Sequence, residues 1–235
     1  MLKTLGIVVI VASVAAGQSP RFEAMTIEPT EDASFRLLGG PGTKTPGLFT
    51  GAGATLGMLV AKAFDLPDYR LSGPDLIKFT RFNIRAKVPD GITRDQFRLM
   101  LQALLAERFK MTFHYQKKEM QGYDLVVAEN GPKIKESTEI PPPEDPDNPL
   151  GRFIVPNAPP VSMAQFVAYM NAMFPVSDAT GLKGYYVMSL NWTIKPEGPS
   201  LFNAVQQQLG LKFEPRKIMV DVLVIDHIEK TPTEN

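Results

Sequence analysis

A chain of 235 residues, 44% of them hydrophobic, is long enough to bury a core in one or two domains. Lys+Arg and Asp+Glu number 25 each, so no net field directs the protein to nucleic acid or an anionic membrane. The absence of cysteine excludes disulfides, thiolate metal sites, a cysteine nucleophile and a lipidated cysteine anchor.

Lys3 gives the N-terminus a positive start, Leu5 to Ala16 is an unbroken apolar and small-residue run, and Ala15-Ala16-Gly17 offers small side chains at a cleavage site. The 12-residue run falls short of the ~20 residues that span a bilayer. It fits the apolar region of a secretory signal. Residues 1–17 are therefore predicted to be a cleaved signal peptide, with an uncleaved N-terminal anchor as the alternative. Their loss removes only Lys3 and leaves 24 basic against 25 acidic groups, a charge of −1. No other segment approaches transmembrane length. The mature chain is expected to be soluble and exported, periplasmic or extracellular, with no membrane insertion after cleavage. Export without disulfides is common in bacterial envelopes and uncommon for small eukaryotic secreted domains.

A first strand is predicted at Phe22–Glu28, followed by a Gly/Pro-rich loop over Gly39–Gly47. Gly47-Leu48-Phe49-Thr50 then opens a pattern that recurs. A helix follows from Thr55 to about Asp65, with Leu56, Leu59, Val60, Ala63 and Phe64 on one face. Phe82, Ile84, Ala86 and Val88 alternate with Asn83, Arg85 and Lys87 as in a half-buried strand. Thr93 and Gln96 form a capping box for a helix whose apolar face is Phe97, Met100, Leu101, Leu104 and Leu105. Two separate strands, Met111–Tyr115 and Tyr123–Ala128, complete the unit.

The order returns about 100 residues later. Gly151-Arg152-Phe153-Ile154 matches the opening, and Ser162 with Gln165 caps a helix bearing Met163, Phe166, Val167, Met170 and Phe174. A strand places Tyr186, Met188, Leu190 and Trp192 on one face. Ser200 starts a last helix with Leu201, Ala204, Val205 and Leu209 inward and Gly210 as its stop. Strands at Leu211–Glu214 and Val220–Asp226 end the chain. The predicted fold class is α+β, two similar βαβαββ-type units with small mixed or antiparallel sheets, each packed by two helices. Duplication is one reading of this alternation; ordinary α+β patterning is the other. Ser137–Pro149, with Pro141-Pro142-Pro143 and Glu144-Asp145-Pro146-Asp147, has no apolar face and reads as a linker. The scheme is thus 1–17 signal peptide, 18–136 first unit, 137–149 linker and 150–235 second unit.

Motifs that carry chemistry are few. Gly39-Gly40-Pro41-Gly42-Thr43-Lys44-Thr45 looks like a phosphate loop, but Thr43 stands where glycine must precede the lysine and Pro46 follows. No nucleophile elbow, zincin motif or dinucleotide fingerprint occurs. Asp145, Asp147 and Asn148 lack EF-hand spacing, so a solvated acidic stretch is favoured over calcium. Of the two histidines, His114 falls on the polar face of a strand beside Thr112 and Gln116, and His227 at the end of the last strand; both read as surface residues. Asn191-Trp192-Thr193 is a formal glycosylation sequon placed inside a strand. No catalytic, cofactor-binding or metal-binding residue is assigned. Tyr185 and Tyr123 are the candidate partner contacts, since aromatic rings with a polar tip suit an exposed platform. Tyr186 and Trp192 share parity with Met188 and Leu190 and read as core.

Several stretches resemble a known family. They are Phe22-Glu23-Ala24-Met25-Thr26-Ile27-Glu28-Pro29, Thr55-Leu56-Gly57-Met58-Leu59, Gly73-Pro74 leading to Arg81-Phe82-Asn83-Ile84, and Met100 through Lys110. Asp178-Ala179-Thr180-Gly181-Leu182-Lys183-Gly184-Tyr185-Tyr186 and Val222 through Lys230 with Pro232-Thr233-Glu234-Asn235 complete the set. Together they resemble the soil-associated secreted bacterial family built on a domain of unknown function, with many paralogous copies in soil acidobacteria. That resemblance implies no catalytic residues. Gly51-Ala52-Gly53-Ala54 and Pro175 depart from its pattern. In element order and T-L-x-x-L helix starts the units are also similar to the short N-terminal domain of secretins and TonB-dependent transducers, which implies protein–protein contact. With no plug or barrel sequence after Asn235, a free-standing module is expected. The expectation is a binding or adaptor module for an envelope protein, not an enzyme and without a cofactor. A hydrolase or a carrier acting on an envelope or environmental ligand is the alternative.

Overall fold

A computed structural model describes residues 21–140, 159–193, 195 and 198–233. The predicted signal peptide, residues 141–149 of the predicted linker and the opening Gly151–Ile154 lie outside the described residues. The elements in order are β1 (Ala24–Pro29), β2 (Arg36–Gly39), β3 (Leu48–Thr55), α1 (Leu56–Phe64), a 3₁₀ turn at Asp68–Arg70, β4 (Leu71–Ser72), α2 (Leu76–Phe79), β5 (Arg81–Lys87) and α3 (Arg94–Arg108). There follow β6 (Thr112–Val127), β7 (Lys135–Ser137), β8 (Val161–Ser162), α4 (Met163–Asn171), β9 (Val176–Asp178), β10 (Tyr185–Val187), α5 (Leu201–Ala204), a π-helical turn Val205–Leu209 and β11 (Leu211–His227). Among the described residues the fold is mixed α+β with several small sheets and five helices.

The chain forms two compact units, one of residues 1–117 with 221–235 and one of residues 118–220. This division differs from the linear scheme of two consecutive units joined at 137–149. The reason is strand pairing: β11 returns to the first unit, where Leu223 pairs with Leu71 and Glu229 donates its N–H to Phe109 O.

In the first unit a sheet of order β1-β5-β3-β2 is antiparallel throughout. Thr55 Oγ1 accepts the Met58 N–H and starts α1, and Thr93 and Gln96 make the predicted capping box at α3. Both caps satisfy N–H groups that a helix start leaves without an intrahelical partner. The inward faces are those expected from the 3.6-residue spacing. Leu56, Leu59, Val60 and Ala63 of α1 and Phe97, Met100, Leu101, Leu104 and Leu105 of α3 are buried. Phe82, Ile84, Ala86 and Val88 face them from the sheet side. Phe82 meets Phe109 edge to face at 5.4 Å and Phe49 meets Phe97 at 5.2 Å. The 221–227 end of β11 lies between β4 and β6 and brings Leu223 and Ile225 into the same core.

In the second unit β10 lies between β7 and β8, and the 118–127 part of β6 lies between β9 and β11. The ion pairs Glu119–Lys217 and Asp124–Arg216 run in the crossed order of an antiparallel β6–β11 pair. Ser162 and Gln165 form the second predicted capping box. Phe166, Met170, Val205, Leu209 and Leu211 build the core.

Three expectations change. The paired strands 111–115 with 123–128, and 211–214 with 220–226, are each one continuous strand of 16 and 17 residues. Pro215 does not interrupt β11, because among the described residues only one edge of the strand carries a neighbour there. The strand expected through Trp192 is only three residues long, so the sequon is not strand-borne. Beyond it, Gln208 stands in for a missing strand: its Oε1 accepts the Asn191 N–H at 2.8 Å and its Nε2 donates to Asn191 O at 2.8 Å. The short elements β4 and α2 were not anticipated.

Two parallel pairings occur among the described residues. The strand after α1 adds parallel to β11, and the strand after α4 adds parallel to β6. Leu101, Leu105, Phe109 and Met111 are buried, as are Leu201, Val205, Leu209 and Leu211, each exactly matched at an offset of 100 in the numbering.

Candidate functional site

Tyr123 is placed by the end of β6 that lies in the second unit. Its N–H donates to Pro175 O at 2.9 Å. The preceding Gly122 allows that approach, because a Cβ there would lie 2.6 Å from Ile218 Cδ1 and 3.0 Å from Pro175 O. Asn171 at the end of α4 holds the turn to β9 with two bonds: its Nδ2 donates to Val176 O at 2.9 Å and its Oδ1 accepts the Val176 N–H at 2.8 Å. That turn presents Phe174. Ser200 caps α5 by accepting the Asn203 N–H, which sets Phe202 on the first turn, and β11 supplies Phe213.

These four rings form one cluster. Tyr123 lies 5.4 Å from Phe174, 4.9 Å from Phe202 and 5.9 Å from Phe213 between ring centres, all edge to face. Phe202 and Phe213 are 4.9 Å apart and Phe174 and Phe213 5.5 Å. Such pairs add about 0.5–1.5 kcal/mol each beyond the area they bury. The cluster runs from the core outward: Phe213 is 6% exposed, Tyr123 and Phe174 are half-buried, and Phe202 is 38% exposed.

Tyr185 is placed elsewhere in the unit. It lies on β10 opposite Ser137 on one side and Ser162 on the other, half-buried and, among the described residues, in no ring contact. The two candidate tyrosines are therefore not brought together. Tyr123's partners were missed for different reasons. Phe174 was assigned to a helix face, although α4 ends at Asn171. Phe202 stands off the apolar face of α5, and a large ring in that place was the available signal.

The remaining polar groups are dispersed. His114 Nδ1 lies 2.8 Å from Asp226 Oδ1 and 3.1 Å from Oδ2, with both side chains exposed. It is an exposed surface pair, and among the described residues no hydroxyl hydrogen-bonds the histidine as a nucleophile would. His227 is exposed at the end of β11. The glycine-rich loop spends its donors on itself: Gly40 N–H bonds Thr45 O and Leu48 O, and Thr43 N–H and Oγ1 both bond Gly40 O. No helix follows Lys44, so the loop is a β2–β3 connection and not an anion cradle. Glu129, Asn130, Lys133, Gln206 and Lys212 line a polar hollow, where the Lys133 ammonium is held by Gln207 O at 2.9 Å. Among the described residues no three His, Cys, Asp or Glu side chains gather as metal ligands.

Burial raises the Tyr169 hydroxyl above its ordinary value near 10, opposed by a hydrogen bond with Trp192. Tyr69 and Tyr115 are raised for the same first reason, opposed in each case by the Arg70 guanidinium. No helix among the described residues is long and apolar enough to cross a membrane.

Residues 57–228 match the family described as Protein of unknown function (DUF3738). The chain belongs to this family. The matched stretch runs from α1 to the end of β11 and contains all four rings of the aromatic cluster; β1, β2 and β3 precede it. No curated protein and no solved structure matches the chain.

Proposed function

We propose that this DUF3738 protein is an exported binding module that engages an envelope protein through the rings around Tyr123. The observation that carries the reading is the outward-opening aromatic cluster. Phe202 keeps 38% of its surface exposed beside the half-buried Tyr123 and Phe174. Aromatic side chains are enriched at protein interfaces, because they bury a large area with few rotatable bonds. Export is supported by the positive start, apolar run and small-residue site of residues 1–17. The resemblance to soil acidobacterial secreted paralogues and to secretin and TonB short N-terminal domains supports a partner protein over a small substrate. The matched pairing and burial of the two halves support reading the chain as a duplicated unit.

The test is crosslinking in the native cell followed by mass spectrometry, with the wild type beside Phe202→Ala. The expected result is one envelope protein crosslinked to the wild type and lost in the variant, while the variant, with a lower urea midpoint because its ring contacts are gone, is still fully folded without urea. Recovery of only free chain from wild-type cells refutes the reading.

A further inference from the structure

We propose that the free edge of β1 pairs with β1 of a second copy of this chain, in antiparallel register about Thr26. Among the described residues β1 is the end strand of its sheet, with β5 on one side only. The register pairs Ala24 with Lys87, Thr26 with Arg85 and Glu28 with Asn83, and Thr30 donates its N–H to Arg81 O. In an antiparallel ladder alternate residues direct both peptide groups to the same neighbour. The even-numbered residues of β1 therefore face β5, and Met25, Ile27 and Pro29 turn their peptide groups outward. Pro29 has no N–H to give. Glu23 has already given its N–H to Lys87 O. Met25 and Ile27 are thus the two outward residues with a free donor and acceptor each.

An edge of this kind is a template for another strand. Only one antiparallel self-pairing uses both residues fully: Met25 opposite Ile27 of the second copy and Ile27 opposite its Met25, with the two-fold axis beside Thr26. That register makes four backbone hydrogen bonds and leaves Pro29 outside them. A shift by two residues in either direction sets Pro29 or the committed Glu23, neither with an N–H to give, against one of the pair and leaves the Met25 or Ile27 carbonyl without a donor.

The side chains agree with this register. Met25 and Ile27 are half-buried on the core side, and their pairing across the axis continues that apolar row. On the outer face Glu28, which has no ion pair among the described residues, comes opposite Ala24 of the second copy, with Lys87 one strand beyond. Strands about 4.8 Å apart put that carboxylate and ammonium two strand spacings apart over a methyl group. Lys87 already holds Glu23 at 2.5 Å, so Glu28 adds a second carboxylate to the same cation. A two-fold contact needs one patch that is its own complement, and β1 has a carboxylate at one end and a cation behind the other. The contact does not use the rings around Tyr123.

The absence of cysteine makes a direct test available. Thr26 and Thr26 of the second copy would form a non-hydrogen-bonded pair with Cα atoms about 4.5 Å apart, within reach of a disulfide. Ala24 and its own copy would be offset by four residues, about 14 Å along the strands. The protein as processed and recovered from the expressing bacterium is used, at micromolar concentration. Wild type is expected to sediment as two chains. Thr26→Cys is expected to give a disulfide-linked pair as the major species on mild oxidation, and Ala24→Cys only a trace. Thr26→Lys, which sets two ammonium groups against each other between the Arg85 side chains, is expected to sediment as one chain and to unfold at the lower urea midpoint that wild type shows when diluted until it is monomeric. Wild type sedimenting as a single chain, or equal disulfide yield from the two cysteine variants, overturns the proposal.

Discussion

Replacing Gly210 with alanine is expected to destabilise the protein by about 1.5–4 kcal/mol, beyond an ordinary surface glycine substitution. Gly210 ends the π-helical turn with φ of +66°. A residue with a side chain loses about 1–2 kcal/mol in that left-handed region, and alanine recovers about 0.4–1 kcal/mol by stiffening the unfolded chain. The backbone difference alone is therefore about 0.5–1 kcal/mol. Gly91 isolates it, since its φ is +75° and a Cβ there meets nothing within 4 Å. At Gly210 the added Cβ would sit 2.3 Å from Gly131 O and 2.8 Å from Lys133 N, both main-chain atoms. The strands and turns there must move, at a further cost of about 1–3 kcal/mol. They cannot move freely, because Gly210 O accepts the Ala128 N–H and Leu209 O accepts the Lys133 N–H, both at 2.9 Å. Lys110 takes the same left-handed conformation at the corresponding end of α3, with φ of +52°, so the conformation alone is tolerable. Urea unfolding of wild type, Gly91→Ala and Gly210→Ala measures both contributions. A Gly210→Ala loss no larger than that of Gly91→Ala refutes the argument from close approach.

Two further outcomes follow from the same structure. Thr93→Ala and Ser162→Ala each remove the side-chain half of a capping box and are expected to cost about 0.5–2 kcal/mol in urea unfolding; Thr93→Ser is expected to keep most of that stability. The Tyr169 hydroxyl is raised by burial, so the folded state favours its protonated form. That contribution is complete below the ordinary tyrosine value near 10 and is lost as pH rises through the higher folded value. Urea midpoints are expected to fall above pH 10, and Tyr169→Phe to fall less steeply than wild type. An identical alkaline slope in that variant would contradict the assignment.

For α1, α3 and α4, local chemistry was enough to place the starts and the inward faces. Thr93 with Gln96 and Ser162 with Gln165 mark their helix starts because a hydroxyl and an amide three residues apart reach one another's backbone N–H groups in that geometry. Phe97, Met100, Leu101, Leu104 and Leu105 lie inward because 3.6-residue periodicity puts them on one side whatever they pack against. Gly210 was legible as a stop because a left-handed turn favours a residue without Cβ. The lengths of β6 and β11 were not legible, because Gln116–Glu119 and Pro215–Lys217 look like breaks when read alone. They are strand because each is paired from the other side. The candidate site divides in the same way. Tyr123 stood out as an aromatic residue on a strand, but its ring partners come from a turn, a helix and another strand, 51 to 90 residues further along.

The sequence by itself determined the starts, caps and buried faces of α1, α3 and α4 and the α+β class, since those depend on neighbours within a turn or two. Only the tertiary structure decided which unit each residue joins and which rings meet Tyr123. Strand pairing and core packing bring together residues with no local relation, and the physical reason Leu223 belongs with Leu71 lies in the partner it finds across the sheet.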